Sequence, residues 1–541
     1  MTALTEEESA GLPAQDHGLS PSTGVAPSLV PRSSLVEKLA LFALAALVIY
    51  STARNICHAL IRPLWYDEIC TLLLARQEHL STMWQAVVRG ADCQPFVFYL
   101  LERAAAAFIR NENLAYRGGS ILGFAVTLVC LFVAVRARKG AAIALVCAAI
   151  PLATILFDML AVEARGYSLL VACIAFAIVC YQRAPARRWV ILLGLSLVLA
   201  ESFHYFAVFA FLPFFLAEAA RFAMTRQLRR GVWIALLSGF VPLACFWPVL
   251  SSFQKYYGPY IWSKPTLEEA FGSYSWYFLT PEENPGAYLA AIAGAAVLFT
   301  MAAALRKTLR GERSAGAPVH ELILVLGLLS LPLVGFAAAI IAHSGMIAKY
   351  MVPSLLGFPL ALGFALPRLP RWGFLLPGVS AALLLFVLVP QERQFWSDYN
   401  SKFISPASFV EDFVTAGGHA DLPVVVSDAH DFLQLQHYCH PGWRKRFVSV
   451  LDPEQAVVIT GNDSADKQLA LLRQYTSLPI YDFQPFLAEH PQFLVYSGGG
   501  GLEGDWWPGR LKKDGFKLQV VSVLPKELND NYWHRVLLVA R

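Results

Sequence analysis

A polytopic α-helical membrane protein with a soluble α/β domain at its C-terminal end is the fold class this sequence predicts, and three observations predict it. Of 541 residues, 56% are hydrophobic and only 15% are charged, whereas soluble domains average about 25% charged residues. Mean hydropathy is +0.50. Apolar runs of membrane-spanning length recur through the first 390 residues, and from residue 391 the pattern turns polar with short apolar stretches. A chain this long is not one compact core, because single cores seldom exceed ~250–300 residues. The formal net charge of +4 argues against a nucleic-acid partner, which a strongly basic face would attract.

Residues 1–34 are rich in Ser, Pro, Gly and acidic side chains and hold no apolar run. That is the composition of a disordered tail rather than of a cleavable signal. A membrane span needs roughly 17–25 mostly apolar residues. About eleven candidates follow, at 35–53, 118–135, 141–157, 164–181, 189–203, 205–222, 232–250, 286–305, 320–342, 347–366 and 372–389. The run 95–109, PFVFYLLERAAAAFI, is short and carries Glu102 and Arg103 at its middle. A mid-bilayer charge costs at least ~2.5–3.5 kcal/mol, so this segment reads as an amphipathic helix on the membrane surface. Eleven spans place 16 Lys and Arg in the loops of one side and 4 in the short loops of the other. The positive-inside rule makes the first side cytoplasmic, and counting 95–109 as a span would reverse that bias. The chain then divides into a cytoplasmic tail (1–34), a membrane domain (35–390) with outer loops at 54–117 and 251–285, and an outer C-terminal domain (391–541).

In the C-terminal part, residues 424–428, 446–451, 492–496, 517–524 and 534–540 read as strands, with helices at 431–439 and 466–476. Such alternation predicts a small α/β domain. His437, Cys439 and His440 look like metal ligands, but on a helix they point in different directions. The run Gly498–Gly501 lacks the spacing and following helix of a dinucleotide loop and reads as a flexible turn. Five of the nine cysteines (Cys130, Cys147, Cys173, Cys180, Cys245) fall inside apolar runs, where Cys behaves as a small hydrophobe. Cys70 and Cys93 share the first outer loop, and spacing leaves a disulfide between them open.

The topology gathers polar residues at the outer face. Asp67 and Glu68 follow the first span, and Asp158, Glu163 and Arg165 share the outer turn after the third. Glu201, His204 and Tyr205 sit at the turn between the fifth and sixth, and His343, Lys349 and Tyr350 at that between the ninth and tenth. Each has a plain structural reading: a solvated flank, a packed histidine, a snorkelling lysine, a local Glu163–Arg165 ion pair. The aromatic residues of 251–285 read by themselves as an interfacial belt. Together the set matches what transfer of a sugar from a lipid phosphate to a hydroxyl requires. A carboxylate must take the hydroxyl proton, and a cation must meet the charge growing on the leaving phosphate. Asp67 or Glu68 supplies the first; Lys349 with Arg165 supplies the second.

These residues, in this order, resemble the integral-membrane GT-C glycosyltransferases, in particular the branch of protein O-mannosyltransferases and lipid A aminoarabinose transferases. The matching segments are Asp67-Glu68 in WYDE, Gln94-Pro95-Phe96-Val97-Phe98-Tyr99, Tyr116-Arg117-Gly118-Gly119-Ser120, Glu163-Ala164-Arg165-Gly166-Tyr167, His204-Tyr205 and Lys349-Tyr350-Met351-Val352-Pro353. The resemblance covers residues 35–390. It implies a GT-C fold with juxtamembrane helices in the first loop, in a bacterial inner (plasma) membrane with the site and C-terminal domain periplasmic. It further implies inverting transfer from a polyprenyl-phosphate sugar to a lipid, cell-surface glycan or protein acceptor. Asp67 is then the base, with Glu68 and Glu163 as further catalytic carboxylates. Lys349, Arg165 and Tyr350 fall on the donor phosphate, and Gln94, Tyr99, Tyr167, His204 and Tyr205 on the substrates. Phe96 replaces a second proline of the pattern, and Lys349 stands where Arg is usual, losing the bidentate fork to phosphate. Asp67, Glu163 and a histidine could hold a divalent cation, although no ligand spacing demonstrates one and no tightly bound cofactor is expected. Two other classes stay open. A lipid or solute transporter would place its charges near the bilayer midplane rather than at one rim, and a non-catalytic membrane scaffold would tolerate loss of Asp67.

Overall fold

The computed structural model describes residues 34–278, 302–303, 306, 310, 317–365, 375–400, 406–497, 506–523 and 534–541. The first expected span is helix α1 (Ser34–Ile61), whose Leu39, Phe42 and Ile49 are exposed, as lipid-facing side chains are. The segment expected as the first outer loop folds into three helices, α2 (Tyr66–Ala75), α3 (Leu80–Arg89) and α4 (Phe96–Phe108). Helix α4 is the one expected at 95–109, and its two central charges face different tasks. Glu102 is buried, whereas the Arg103 guanidinium donates to the carbonyls of Ala75, Gln77 and Glu78 at the C-terminal end of α2, where helix carbonyls lack partners of their own. Helix α5 (Glu112–Lys139) is the second span, its N-terminus capped by the Asn111 side chain on the Leu114 amide.

Beyond α5 the expected spans are less regular than hydropathy implies. The run 141–157 becomes α6 (Ala141–Ala149), a 3₁₀ turn at Ile150–Ala153 and α7 (Ile155–Leu160). Pro151 lies at that break, removing an N–H that a continuous helix would use. Helices α8 (Tyr167–Arg183) and α9 (Arg187–Phe203) have 17 residues each, and α10 (Ala207–Thr225) is unbroken. The seventh span divides into α11 (Arg230–Ser238) and α12 (Phe240–Cys245), then bends by 54° into α13 (Trp247–Tyr257). After α14 (Leu267–Phe278), α15 (Val319–Leu329) and α16 (Leu331–Ala342) meet at 55°, with Pro332 at the bend. A 3₁₀ stretch with Pro353, Ala348–Leu356, leads into α17 (Gly357–Ala365). Helix α18 (Leu375–Asn400) runs through Pro390. The expected span 286–305 lies outside the described residues but for 302–303. Among the described residues, three helices are long and apolar enough to cross a membrane, or up to five if each bent pair is one span. This is a membrane protein, and among the described residues several of the expected spans are bent or broken helices instead of continuous ones.

Close helix contact holds the outer turns in place. A Cβ on Gly123 of α5 would lie 2.7 Å from the Ser168 carbonyl of α8, so only glycine lets these backbones meet. The turn entering α8, which carries Glu163 and Arg165, is thereby pressed against α5: the Ser120 hydroxyl donates to the carbonyls of Glu163 (2.6 Å) and Arg165 (3.0 Å).

The C-terminal part runs α19 (Pro406–Ala416), β1 (Val424–Val426), α20 (Ala429–Tyr438), β2 (Phe447–Leu451), α21 (Pro453–Thr460), α22 (Ser464–Leu472), β3 (Ile480–Asp482), α23 (Phe483–Glu489), β4 (Gln492–Ser497), α24 (Trp507–Lys513), β5 (Lys517–Val523) and β6 (Arg535–Ala540). Six strands form one sheet in the order β3-β2-β1-β4-β6-β5. The pairs among β3, β2, β1 and β4 are parallel, and β6 is antiparallel to both β4 and β5. All five expected strands and both expected helices are present. Strand β3 was not expected; it has three residues, of which only Ile480 is buried. The run Gly498–Gly501 lies outside the described residues.

This part docks onto the end of the segment before α2 and onto α13. The Leu64 amide donates to the Tyr438 hydroxyl (2.6 Å), Gln434 donates to the Leu64 carbonyl (3.2 Å), and Lys467 donates to the Tyr256 carbonyl (2.7 Å). His437 pairs with Glu112 of α5 and His440 with Glu411 of α19, while Cys439 is a buried thiol between them. Cys70 and Cys93 are both free thiols, so no disulfide joins them.

Candidate active site

The site is organised by a buried ion pair one residue away from it. Glu68, at the third position of α2, accepts the Trp65 amide at 3.1 Å and so closes the helix N-terminus. Its two oxygens also take Arg117 Nε (2.8 Å) and Nη2 (2.6 Å), and Oε1 accepts the Ala164 amide (2.7 Å). Arg117 in turn donates to the carbonyls of Ala59, Arg62 and Pro63. Both side chains are fully buried. Glu68 is therefore no alternative to Asp67 as a base: every lone pair it offers is engaged in joining α1, α2, α5 and the turn before α8.

Asp67, its neighbour, points elsewhere. Its Oδ2 lies 3.4 Å from Lys349 Nζ and 4.0 Å from Arg165 Nη2. Burial alone would raise its pKa, but the positive charges of Arg165 and Lys349 outweigh it and hold the carboxyl below its usual value. Glu163 Oε1 lies 3.8 Å from the same Lys349 Nζ. For Glu163 burial prevails, with Glu68 and Asp67 adding to it, and its pKa is raised. Lys349 Nζ also stands 4.8 Å above the Trp65 ring and 5.5 Å from that of Tyr167. Lys349 is the second residue of the 3₁₀ stretch, whose first amide, that of Ala348, is held by Glu269 Oε1 at 2.9 Å.

Arg165 is buried, and its main partner was not expected. Nη1 lies 3.0 and 2.9 Å from the two oxygens of Asp92, 3.0 Å from Thr71 Oγ1 and 3.3 Å from the Asp67 carbonyl. Asp92 also accepts the Tyr99 hydroxyl at 2.9 Å. Nothing in the sequence marked Asp92 except its place two residues before Gln94. Two N–H donors at the site have no acceptor among the described residues, Arg165 Nε and Trp65 Nε1.

An aromatic wall adjoins the charges. Tyr350 stacks on Phe206 at 4.3 Å, and the His204 ring lies 4.6 Å from Tyr167 and 6.1 Å from Tyr350. Burial, reinforced by Arg165 and Lys349, pushes the His204 imidazole down to about 3, so it is neutral. Asp67, Glu163, Arg165, Lys349, Tyr350, Tyr167 and His204 are thus brought together. Gln94, Tyr99 and Tyr205 stand one layer behind: Gln94 Oε1 accepts the Gly166 amide (3.3 Å), the Gln94 amide donates to the Tyr99 hydroxyl (3.2 Å), and the Tyr205 hydroxyl donates to the Gln94 carbonyl (3.4 Å). Gln94 and Tyr99 are buried and hold the frame instead of facing a substrate.

Three expected members are not part of the cluster. Asp158 pairs with Arg54 of α1 at 2.6 Å, beside Glu392. Glu201 is buried in the last turn of α9 with neither oxygen bonded among the described residues. His343 is an exposed C-cap of α16. Among the described residues no three His, Cys, Asp or Glu side chains are grouped to hold a metal ion. Asp67 and Glu163 instead share the ammonium of Lys349, and His204 lies among rings, so this donor set does not fit a divalent cation.

No family model and no curated protein sequence matches this chain. Solved structures do. The crystal structure of ArnT from Cupriavidus metallidurans bound to undecaprenyl phosphate matches with a TM-score of 0.51 at 13% identity, covering 94% of this chain and 98% of that one. Its apo state matches with a TM-score of 0.50 at the same identity and coverage. The chain shares the fold of these ArnT structures. The likeness to ArnT spans both the helical part and the C-terminal sheet, and at this identity it is a likeness of fold.

Removing one partner of the Glu68–Arg117 pair leaves an unpaired buried charge, which costs ~3–5 kcal/mol. Arg117→Met and Glu68→Gln should each sharply lower the thermal unfolding temperature in detergent. The double variant should lose less than the sum of the two; additive losses would mean that the pair is not coupled.

Proposed function

We propose that this chain is an inverting GT-C glycosyltransferase, moving a sugar from a polyprenyl-phosphate donor to a hydroxyl of a lipid, cell-surface glycan or protein. The reading places the reaction on the periplasmic face of a bacterial inner membrane, with residues 35–390 as the catalytic membrane domain and 391–541 outside it. The observation that carries it is the Asp67 carboxylate held at 3.4 Å from Lys349 and 4.0 Å from Arg165, on the fold of a protein crystallised with undecaprenyl phosphate.

In this mechanism Asp67 accepts the proton of the acceptor hydroxyl while that oxygen bonds to the anomeric carbon. The bond from this carbon to the phosphate oxygen breaks, its electron pair stays on the phosphate, and the sugar inverts. Negative charge grows on the phosphate where Lys349 Nζ, Arg165 Nε and Trp65 Nε1 can meet it. Lys349 couples the two events. When its ammonium turns from Asp67 to the phosphate, Asp67 loses one of its two cations and becomes the stronger base. Glu163 keeps Lys349 within reach, and Tyr167, neutral His204 and Tyr350 form the wall against which the sugar lies.

The test is release of free polyprenyl phosphate, followed by mass spectrometry after incubating purified protein with the lipid and glycan extract of its host. Wild type should release it and Asp67→Asn should not, while donor binding survives. Equal release by the variant would remove Asp67 from the mechanism.

The pH profile is set by the same charges. Asp67 must be ionised to act, so activity is present above its folded-state pKa and is lost as pH falls through it. That pKa lies below the usual carboxylate value of ~3.9. Lys349→Met removes one cation, so the acid limb of kcat/KM should move upward and kcat/KM itself should fall by ~2–4 kcal/mol equivalent. An unmoved limb would separate Lys349 from Asp67.

A further inference from the structure

Between α1 and α18 lies a groove that the transfer chemistry does not use. The two helices meet through side chains around Glu392. The Tyr50 hydroxyl donates to it (2.5 Å), Arg54 pairs with it (2.9 Å), and the nearby Phe395 ring carries the Arg54 guanidinium on its face at 4.2 Å. One to two turns earlier along α18, Leu385, Leu388 and Val389 line a groove with Leu47 of α1. Leu152 adds to it from the 3₁₀ turn where Pro151 breaks the line between α6 and α7. The groove has about 590 Å³ of room, within the range of sites that hold small organic molecules.

The lining selects the occupant. The body of the groove is hydrocarbon, and its polar residues gather where the two helices meet: Tyr50, Glu392, Arg393 and Trp396. Both carboxylates there, Asp158 and Glu392, are turned to the buried Arg54. Arg393 is exposed and pairs with no carboxylate among the described residues. Trp396 Nε1 donates to the Tyr50 hydroxyl at 3.4 Å, so an indole and a phenol flank this arginine, as such rings do at headgroup level. An apolar trough that ends in an arginine and two amphipathic rings matches a lipid phosphate, with hydrocarbon in the trough and phosphate oxygens on the guanidinium. A soluble anion would leave the trough empty, and a neutral lipid would leave Arg393 without an anion. The polyprenyl donor is a different molecule, because its phosphate is assigned to Lys349 and Arg165, and neither lines this groove.

We propose that the groove binds one glycerophospholipid, an acyl chain lying along Leu47, Leu385 and Val389 and the phosphate on Arg393. The bound lipid fills the space between α1 and α18 and so fastens to the bundle the helix that leads into the C-terminal part. This goes beyond the transferase reading and does not depend on it.

Native mass spectrometry of the delipidated full-length protein in detergent tests it, with dioleoylphosphatidylglycerol as probe. Wild type should retain one molecule, and Arg393→Lys should keep most of that binding. Arg393→Gln loses a charge-assisted hydrogen bond, so its affinity should fall about tenfold. Val389→Trp, which fills the groove and removes no charge, should fall by a similar factor. Both positions are exposed, so the lipid-free variants should unfold at the wild-type temperature. Added probe should raise that temperature for wild type and for neither variant. Absence of retention by wild type, undiminished retention by either variant, or equal binding of dioleoylglycerol, which has the chains without the phosphate, would each overturn the proposal. Displacement of the probe by an equimolar amount of undecaprenyl phosphate would overturn it too, by giving the groove to the donor lipid.

Discussion

The structure depends on one buried ion pair, Glu68 with Arg117. Placing two charges where neither side chain is exposed costs several kcal/mol per ion, and only dense hydrogen bonding offsets that. Here it is dense. Arg117 gathers three carbonyls from the end of α1, and Glu68 gathers amides from the start of α2 and from the turn before α8. Three segments far apart in sequence are thereby locked to each other. Asp67 sits beside this lock on α2, where consecutive side chains diverge by about 100°. Glu68 turned inward leaves Asp67 turned toward Lys349 and Arg165.

Charge in the site is balanced in layers. Arg165 is neutralised chiefly by Asp92, so its position does not depend on Asp67. Lys349 lies between Asp67 and Glu163, whose environments push their pKa values in opposite directions. Pairs of carboxylates separated in this way mark an acid–base division of labour. In the proposed mechanism Asp67 is the carboxylate that accepts a proton, and Glu163 keeps Lys349 within reach.

Much of this was legible in the sequence, for physical reasons that differ by element. The strands β1, β2, β4, β5 and β6 are runs of Val, Leu and Phe bounded by polar turns, whereas β3 buries a single side chain and leaves no pattern. The apolar runs were visible, but a hydropathy window does not register that Pro151, Pro332 or Pro353 lacks an amide donor, so broken helices read as spans. Lys349, Arg165, Glu163 and Asp67 could be assembled because topology carried them to one rim. The choice between Asp67 and Glu68 could not be made, since it rests on Arg117, 49 residues on from Glu68. Asp92 sits in a loop with no periodicity to place it, and Asp158 was drawn to Arg54, a partner one helix away that only the fold supplies.

The central claim is that the cations which keep Asp67 ionised are the same ones that receive the donor phosphate. Its most direct test is an experimental structure of the protein with undecaprenyl phosphate, the lipid seen in ArnT. The account predicts a phosphate oxygen within hydrogen-bonding distance, about 3 Å, of Lys349 Nζ and of Arg165 Nε or Trp65 Nε1, with Lys349 drawn away from Asp67. A phosphate seated elsewhere, with Lys349 still bridging Asp67 and Glu163, would contradict it.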